Sequence, residues 1–335
     1  MNNPTRIKFR RYGRYWRSTA CLVVAVVLLL SCLAGCSGEV HDPDRGALTL
    51  PSSPSQDETG EVLELTEADP YGDSAHVLRA DFLETGKSDA ILLRVGDAVI
   101  LVDTGETDDY GVISRCLQEY GISEIDYLVL THFDNDHIGA AAGILQNYRV
   151  KTVFMPDYVR DSSLYRRMME VLALLPDTAV RRVTEETTVE LSGGRMVIYP
   201  TALYKNGLTL GKDEDHALEE NNFSLITSVF FGQRSILLMG DAEKERIREF
   251  SETLGEDYRY DLIKIPHHGD ANKPLRELLL GCDGLRYCVV HVAEQADVES
   301  SLVTAIQGAG AEAFYTYDGR VRFATDGESM TVLRG

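Results

Sequence analysis

The stretch Thr131-His132-Phe133-Asp134-Asn135-Asp136-His137-Ile138-Gly139 places two imidazoles and two carboxylates within six residues, directly after the apolar run Tyr127-Leu128-Val129-Leu130. Four metal-capable side chains on one tight loop can wrap one or two cations, because alternate residues project to different sides of the turn. Imidazole suits zinc and similar first-row ions and carboxylates suit harder ones, so the mixture admits zinc, manganese or iron. Two further stretches share the plan of a buried strand ending in polar side chains: Ile236-Leu237-Leu238-Met239-Gly240-Asp241 and Leu262-Ile263-Lys264-Ile265-Pro266-His267-His268-Gly269. Open α/β sheets expose strand ends as a crevice where ligands converge, so these three strand ends point at one shared site.

The elements that must carry these ends are legible as short strands and helices. Ala90 to Val95, the turn Gly96-Asp97 and Ala98 to Val102 read as a β-hairpin. Val112, Ile113, Cys116, Leu117 and Tyr120 have helical spacing, ended by Gly121. A helix is expected from Gly139 to Tyr148, a strand over 151–155 and a helix over 165–175. Hairpins are expected over 189–200 and 224–239. Helices at 242–254, 275–280 and 303–308 alternate with strands at 262–266, 287–292 and 313–317, and strands at 321–324 and 330–333 close the chain. Tyr315, Tyr317 and Phe323 follow strand alternation, which marks core positions rather than a base-stacking platform. No internal repeat is present. Alternating elements with strand clusters in each half predict one layered α/β domain.

The chain has 335 residues, with 33 Lys+Arg, 53 Asp+Glu and 44% hydrophobic residues, which rules out a disordered or collagen-like chain. Six of the basic side chains (Arg6, Lys8, Arg10, Arg11, Arg14, Arg17) and no acid lie in residues 1–35, so the remainder is more acidic than the formal net charge of −20. An acidic body repels polyanions at long range, which argues against a general nucleic-acid-coating role. Residues 1–35 read as a secretory signal: a basic segment, the short apolar run Ala20 to Leu30, then Leu33-Ala34-Gly35-Cys36. The last element resembles a bacterial lipobox, which implies a lipid on Cys36 and a protein held on the extracytoplasmic face of the membrane. Residues 36–75, rich in Ser, Pro, Asp, Glu and Gly, read as a flexible tether, and 76–335 as the folded body. The body's Cys116, Cys282 and Cys288 form no CxxC pair; Cys282 and Cys288 either pair or stay reduced and buried. His291, inside Cys288-Val289-Val290-His291-Val292, reads as a hydrogen-bonded core or rim histidine rather than a ligand.

Taken together, Val102-Asp103-Thr104-Gly105, His132-Phe133-Asp134-Asn135-Asp136-His137, Gly240-Asp241 and His267-His268-Gly269 resemble the metallo-β-lactamase superfamily. Phe82 to Leu92, Asn221-Asn222-Phe223-Ser224-Leu225 and Pro266-His267-His268-Gly269 are similar to the soluble hydrolase domain of ComEC-type DNA-uptake proteins. The resemblance spans about residues 77–335 and implies an αββα sandwich holding two divalent metal ions, zinc first and manganese second. It implies that His132 and Asp134 bind one ion, that Asp136, His137 and one of His267 and His268 bind the other, and that Asp241 bridges them. His267, which comes straight off its strand, is preferred to His268. Asp103 would shape the loop without being a ligand. The chain departs from the superfamily pattern in carrying Asp134 where most members have His. It also lacks a clearly aligned His before Gly240-Asp241, where His216, Asn221 and Asn222 are the candidates.

The reaction implied is hydrolysis by a metal-activated hydroxide, with Asp136 orienting the water and His268 or Lys273 serving near the product. The expected protein is a membrane-tethered metal-dependent hydrolase of the phosphodiesterase or nuclease-like kind, acting on a small phosphoester or nucleic acid. The alternatives are a lactone, lactam or thioester hydrolase on the same site, and a surface binding module with a degraded metal site.

Overall fold

The computed structural model describes residues 69–335 apart from 73, 75, 204–208, 211–219, 256–257 and 334–335. The signal, the lipobox Cys36, nearly all of the tether and His216 lie outside the described residues. Among the described residues no helix is long and apolar enough to cross a membrane.

In chain order the strands are β1 (Leu78–Phe82), β2 (Ile91–Val95), β3 (Ala98–Val102), β4 (Glu124–Val129), β5 (Arg149–Pro156), β6 (Val159–Arg160), β7 (Ala179–Val183), β8 (Thr187–Leu191) and β9 (Gly194–Tyr199). They continue as β10 (Thr209–Leu210), β11 (Ile226–Phe231), β12 (Arg234–Leu238), β13 (Leu262–Lys264), β14 (Tyr287–Val290), β15 (Glu312–Tyr315), β16 (Val321–Thr325) and β17 (Met330–Leu333). The helices are α1 (Tyr110–Glu119), α2 (Asn135–Ile138), α3 (Ala141–Asn147), α4 (Ser163–Leu172), α5 (Lys244–Leu254), α6 (Lys273–Gly281) and α7 (Ser300–Gly308).

One sheet runs β17-β16-β1-β2-β3-β4-β5-β7 and a second runs β15-β14-β13-β12-β11-β9-β8. Alternate residues of β1 and β2 (Leu78, Ala80, Phe82; Ile91, Leu93, Val95) face the second sheet and pack on Ile198, Val229, Ile236 and Leu238. Side chains of this size contribute about 1.5–3 kcal/mol each when fully buried, so this layer is what holds the two sheets together. Helices α1, α3 and α4 cover the outer face of the first sheet through Ile113, Leu117, Ile144 and Met168. Helices α5, α6 and α7 cover the second through Ile247, Phe250, Leu275 and Leu302. The layers therefore run helix, sheet, sheet, helix, the αββα sandwich expected.

The central strands β3, β4 and β5 run parallel, as do β12, β13 and β14. In both groups the carboxyl ends of neighbouring strands therefore open on the same edge, which brings Asp103, the 131–139 loop, Asp241 and the His267-His268 turn together. Several elements differ from expectation, among them the two-residue strands β6 and β10, too short to carry a pattern. The 135–138 segment, read as loop, closes into the one-turn helix α2 before α3 begins. Strand β7 is not announced by its sequence, because Ala-Val-Arg-Arg-Val is exposed at its first three positions and buried only at the last, so it lacks the buried alternation of a strand. Cys116, Cys282 and Cys288 are all free and buried.

Candidate metal centre

The first limb of the site begins at Asp103, which leaves β3 with φ 57°, a left-handed conformation that turns its carboxylate back under the next loop. Its Oδ1 accepts the Thr131 amide at 2.8 Å and its Oδ2 accepts the Thr131 hydroxyl at 2.7 Å. Oδ2 also meets His137 Nδ1 at 2.8 Å. With its proton given to Asp103, the Thr131 hydroxyl accepts from His132 Nδ1 at 3.1 Å. Both imidazoles of the loop are thus oriented from behind through Nδ1, leaving Nε2 to face the crevice. Their rings lie 4.0 Å apart, and both are fully buried.

The second limb comes from the other sheet. Gly240, with φ 52°, lets Asp241 turn in behind Thr131, where a Cβ at position 240 would sit 2.7 Å from the Thr131 Cβ. Asp241 Oδ2 lies 3.2 Å from His137 Nε2 and 3.2 Å from His268 Nε2. His268 Nε2 is also 3.3 Å from Asp136 Oδ2. Asp136, His137, Asp241 and His268 each offer one donor atom, all within 4.8 Å of one another.

His267 stands elsewhere. Its Nε2 is 3.3 Å from Asn221 Nδ2 and its Nδ1 is 3.3 Å from Glu243 Oε1, on the rim. The expectation that His267 comes to the cluster therefore differs from the structure, which brings His268 there. The reason is the backbone: both residues have positive φ, 47° and 50°, so the chain coils left-handed after Pro266 and folds the second ring inward. Non-glycine residues held this way are strained, and such strain gathers at functional sites. Lys273 points to solvent against Glu277, 3.3 Å away. Asn222 is turned to α5, where its Oδ1 accepts the Arg246 amide at 3.0 Å.

Charge at the site follows from these contacts. Burial opposes ionisation of His137, yet Asp241 and Asp103 hold its imidazole well above the ordinary value. Burial likewise opposes a charge on His268, but Asp241 and Asp136 raise it to about 9. Burial, then the neighbouring His137, pushes His132 down. Against its own burial, Asp241 is held well below the carboxylate range by His137 and His268. Asp136, despite partial burial, is drawn to about 2 by His268.

Beneath the cluster lies a buried network that sequence reasoning missed. Asp89, on the β1–β2 loop, forms an ion pair with the fully buried Lys264 and lies 3.3 Å from His291 Nδ1. Its amide donates to the Asp136 carbonyl at 3.1 Å, and its carbonyl accepts the Gly105 amide at 2.8 Å. Lys264 Nζ donates to the Gly240 carbonyl at 3.1 Å and stands 3.7 Å from Asp241 Oδ1. A lysine in the middle of an apolar strand was the available signal, because such a residue is almost never fully buried without a partner. Tyr158 and Arg160 at the crevice mouth were also missed, since no spacing rule links them to the loops they meet.

The donor set fits divalent cations. His132 Nε2, His137 Nε2, both His268 nitrogens and Asp241 Oδ1 are buried without a hydrogen-bond partner. Buried polar atoms are almost always satisfied, so an inward-facing group of orphans on imidazole and carboxylate calls for an ion. Residues 83–280 match the metallo-beta-lactamase superfamily. The chain belongs to that superfamily.

Members of the metallo-beta-lactamase superfamily are mostly metal-dependent hydrolases and generally bind two divalent cations. ComE operon protein 3 of Bacillus subtilis (strain 168) is 24% identical over 217 residues, covering 59% of this chain and 26% of that protein. Recombination protein 2 of Haemophilus influenzae is 26% identical over 206 residues, covering 60% of this chain and 22% of that protein. The chain thus spans about a quarter of the length of these ComEC-type relatives. Among solved structures, the metallo-beta-lactamase fold protein YhfI from Bacillus subtilis has 13% identity and a TM-score of 0.47, covering 74% of this chain and 99% of that one.

Proposed function

We propose that this metallo-beta-lactamase superfamily member is an extracytoplasmic, membrane-tethered hydrolase of phosphoesters, of the phosphodiesterase or nuclease-like kind. The observation that carries the reading is the convergence of Asp136, His137, Asp241 and His268 on one point, with their inward-facing nitrogens and an Asp241 oxygen unpartnered. When bound there, divalent cations supply Lewis acidity that acidifies water and neutralises the oxygens of an anionic ester. Three of the candidate ligands, Asp134, Asp136 and Asp241, are carboxylates, which suits manganese as well as zinc. The similarity to a protein named for recombination supports a substrate built on phosphodiesters.

The chain's own groups divide the remaining work. Asp136 Oδ2, at the solvent side of the cluster, accepts a hydrogen bond from the attacking water and aligns it. Asp103 keeps the His137 ring fixed from behind, and Asp89 with Lys264 braces the floor. His268, expected as a proton donor, stands among the ligands, whereas His267 sits at the rim with Glu243 behind its Nδ1 and is placed to pass a proton to a departing oxygen. The N-terminal segment supports a lipid anchor at Cys36, which leaves the domain facing away from the membrane on its tether.

Purified protein supplied with zinc or manganese is assayed on bis-p-nitrophenyl phosphate, a homoserine lactone and a chromogenic β-lactam. Turnover of the phosphodiester, lost in Asp241→Asn, is the expected result. Turnover of the lactone or lactam alone would replace this reading with the carbonyl-hydrolase one.

A further inference from the structure

The six residues expected to hold cations form two unequal limbs. Asp136, His137, Asp241 and His268 make a ready cluster, whereas among the described residues His132 and Asp134 belong to no group of three or more donors. His132 Nε2 and Asp134 Oδ2 are 3.7 Å apart, and the other oxygen of Asp134 faces Arg160 Nη2 at 3.3 Å.

Arg160 is fixed in that place. It sits in β6, paired with β10. Its Nη1 is 2.6 Å from Glu220 Oε2, and the other Glu220 oxygen accepts the Tyr158 hydroxyl at 2.6 Å. That hydroxyl in turn accepts the Phe133 amide at 3.0 Å, inside the His132–Asp134 loop. Arg160 and the loop are therefore tied through a closed ring of contacts. Among the described residues before β11, where the resemblance calls for another donor, each candidate is otherwise engaged: Glu220 with Arg160, Asn221 with His267 and Glu243, Asn222 with α5.

A guanidinium on Asp134 has two effects on a cation arriving there. It occupies one of the few oxygens available, and it places a permanent positive charge beside the dication. We propose that this site holds one cation tightly, on Asp136, His137, Asp241 and His268, and that Arg160 supplies the positive charge at the His132–Asp134 limb in place of a second tight ion. A second ion enters only by taking Asp134 from Arg160. The inference rests on the metal-centre reading above and narrows it: Arg160 is a positioning residue whose charge sets the stoichiometry.

The test uses the full chain in detergent, freed of metal and titrated with zinc against a chromophoric chelator. One tight equivalent is expected, with any second about 100-fold weaker; Arg160→Gln should tighten that second step by about tenfold or more, the scale of effects seen for groups that tune metal ligands. Arg160→Lys, which keeps the charge, should behave as the unchanged chain. Two equivalents of similar affinity in the unchanged chain would overturn the proposal while leaving the hydrolase reading intact, and would show that a donor such as His216 completes the first limb. An unaltered second step in Arg160→Gln would remove Arg160 from the account. Binding of no zinc by the unchanged chain would overturn both readings. The unchanged chain's own titration decides the stoichiometry even if the Gln variant fails to fold.

Discussion

His137 Nδ1 and Asp103 Oδ2 lie 2.8 Å apart, both fully buried, so that a carboxylate from the end of β3 aims an imidazole from the one-turn helix that follows β4. Asp103 reaches this position only because its φ is 57°, and it holds Thr131 with the same two oxygens. Its place is behind the ring and not toward the crevice. Asp103→Asn should therefore keep the fold and weaken metal binding by about 10–100-fold, the usual effect of losing a carboxylate behind a metal-bound histidine. Competition with a chromophoric chelator measures this, with circular dichroism as the folding control. Unchanged affinity would mean that His137 is oriented by something else.

Lys264 and Asp89 test the floor. Both are buried to within 1% of full, and each is the other's main compensation. Burial works against both charges, yet Lys264 holds the Asp89 carboxyl down and Asp89 holds the Lys264 ammonium up. Lys264→Met should cost about 3–5 kcal/mol in urea unfolding, because it strands a buried carboxylate. Adding Asp89→Asn should recover part of that loss. Strict additivity of the two changes would show that the residues act independently.

The thiols give a pH-dependent prediction. Burial pushes Cys116 up to about 12 and Cys282 up to about 11, and raises Cys288 further still. At pH 8 only about one Cys282 in a thousand is then thiolate, the reactive form. Peptide mapping after iodoacetamide treatment of the native protein should find these three cysteines unmodified, and urea should expose all of them. The linkage sign follows: the native state keeps protons that the unfolded chain releases above about pH 8.5, so their contribution to stability declines as pH rises from there toward about 11 and 12. Rapid native labelling, or a recovered Cys282–Cys288 disulfide, would contradict the burial described.

Gly240→Ala joins two penalties, a left-handed backbone at φ 52° and a methyl group 2.7 Å from the Thr131 side chain. A loss of about 1–3 kcal/mol is expected from strain of this kind. Because Asp241 follows directly, zinc binding should weaken in the same variant. Stability lost with metal binding intact would show that Asp241 does not depend on the turn.

Cys36→Ser tests the anchor. In a bacterial host the variant should leave the membrane fraction and appear in soluble form, since lipid is what holds the body there in this reading. Retention in the membrane would point to the apolar run Ala20 to Leu30 as an uncleaved anchor.

The alternation of short apolar strands with helices, and the three strands that end in Asp or His, are properties of local sequence. They foretold a layered α/β domain and the crevice, because periodicity and strand-end chemistry depend on neighbours within a few residues, while the αββα order came from the family resemblance. The Asp136-His137 pair and Asp241 were legible for the same reason. The choice between His267 and His268 was not: it turns on two consecutive positive φ values, which adjacent side chains do not dictate. Nor were the Asp89–Lys264 pair and the Arg160–Glu220 contact, whose members come from separate strands and loops. Sequence by itself determined which chemical groups reach the ends of the strands. Tertiary structure alone decided which of them meet, because the pairing of distant charges is selected by burial, where an unpaired ion is too costly to keep.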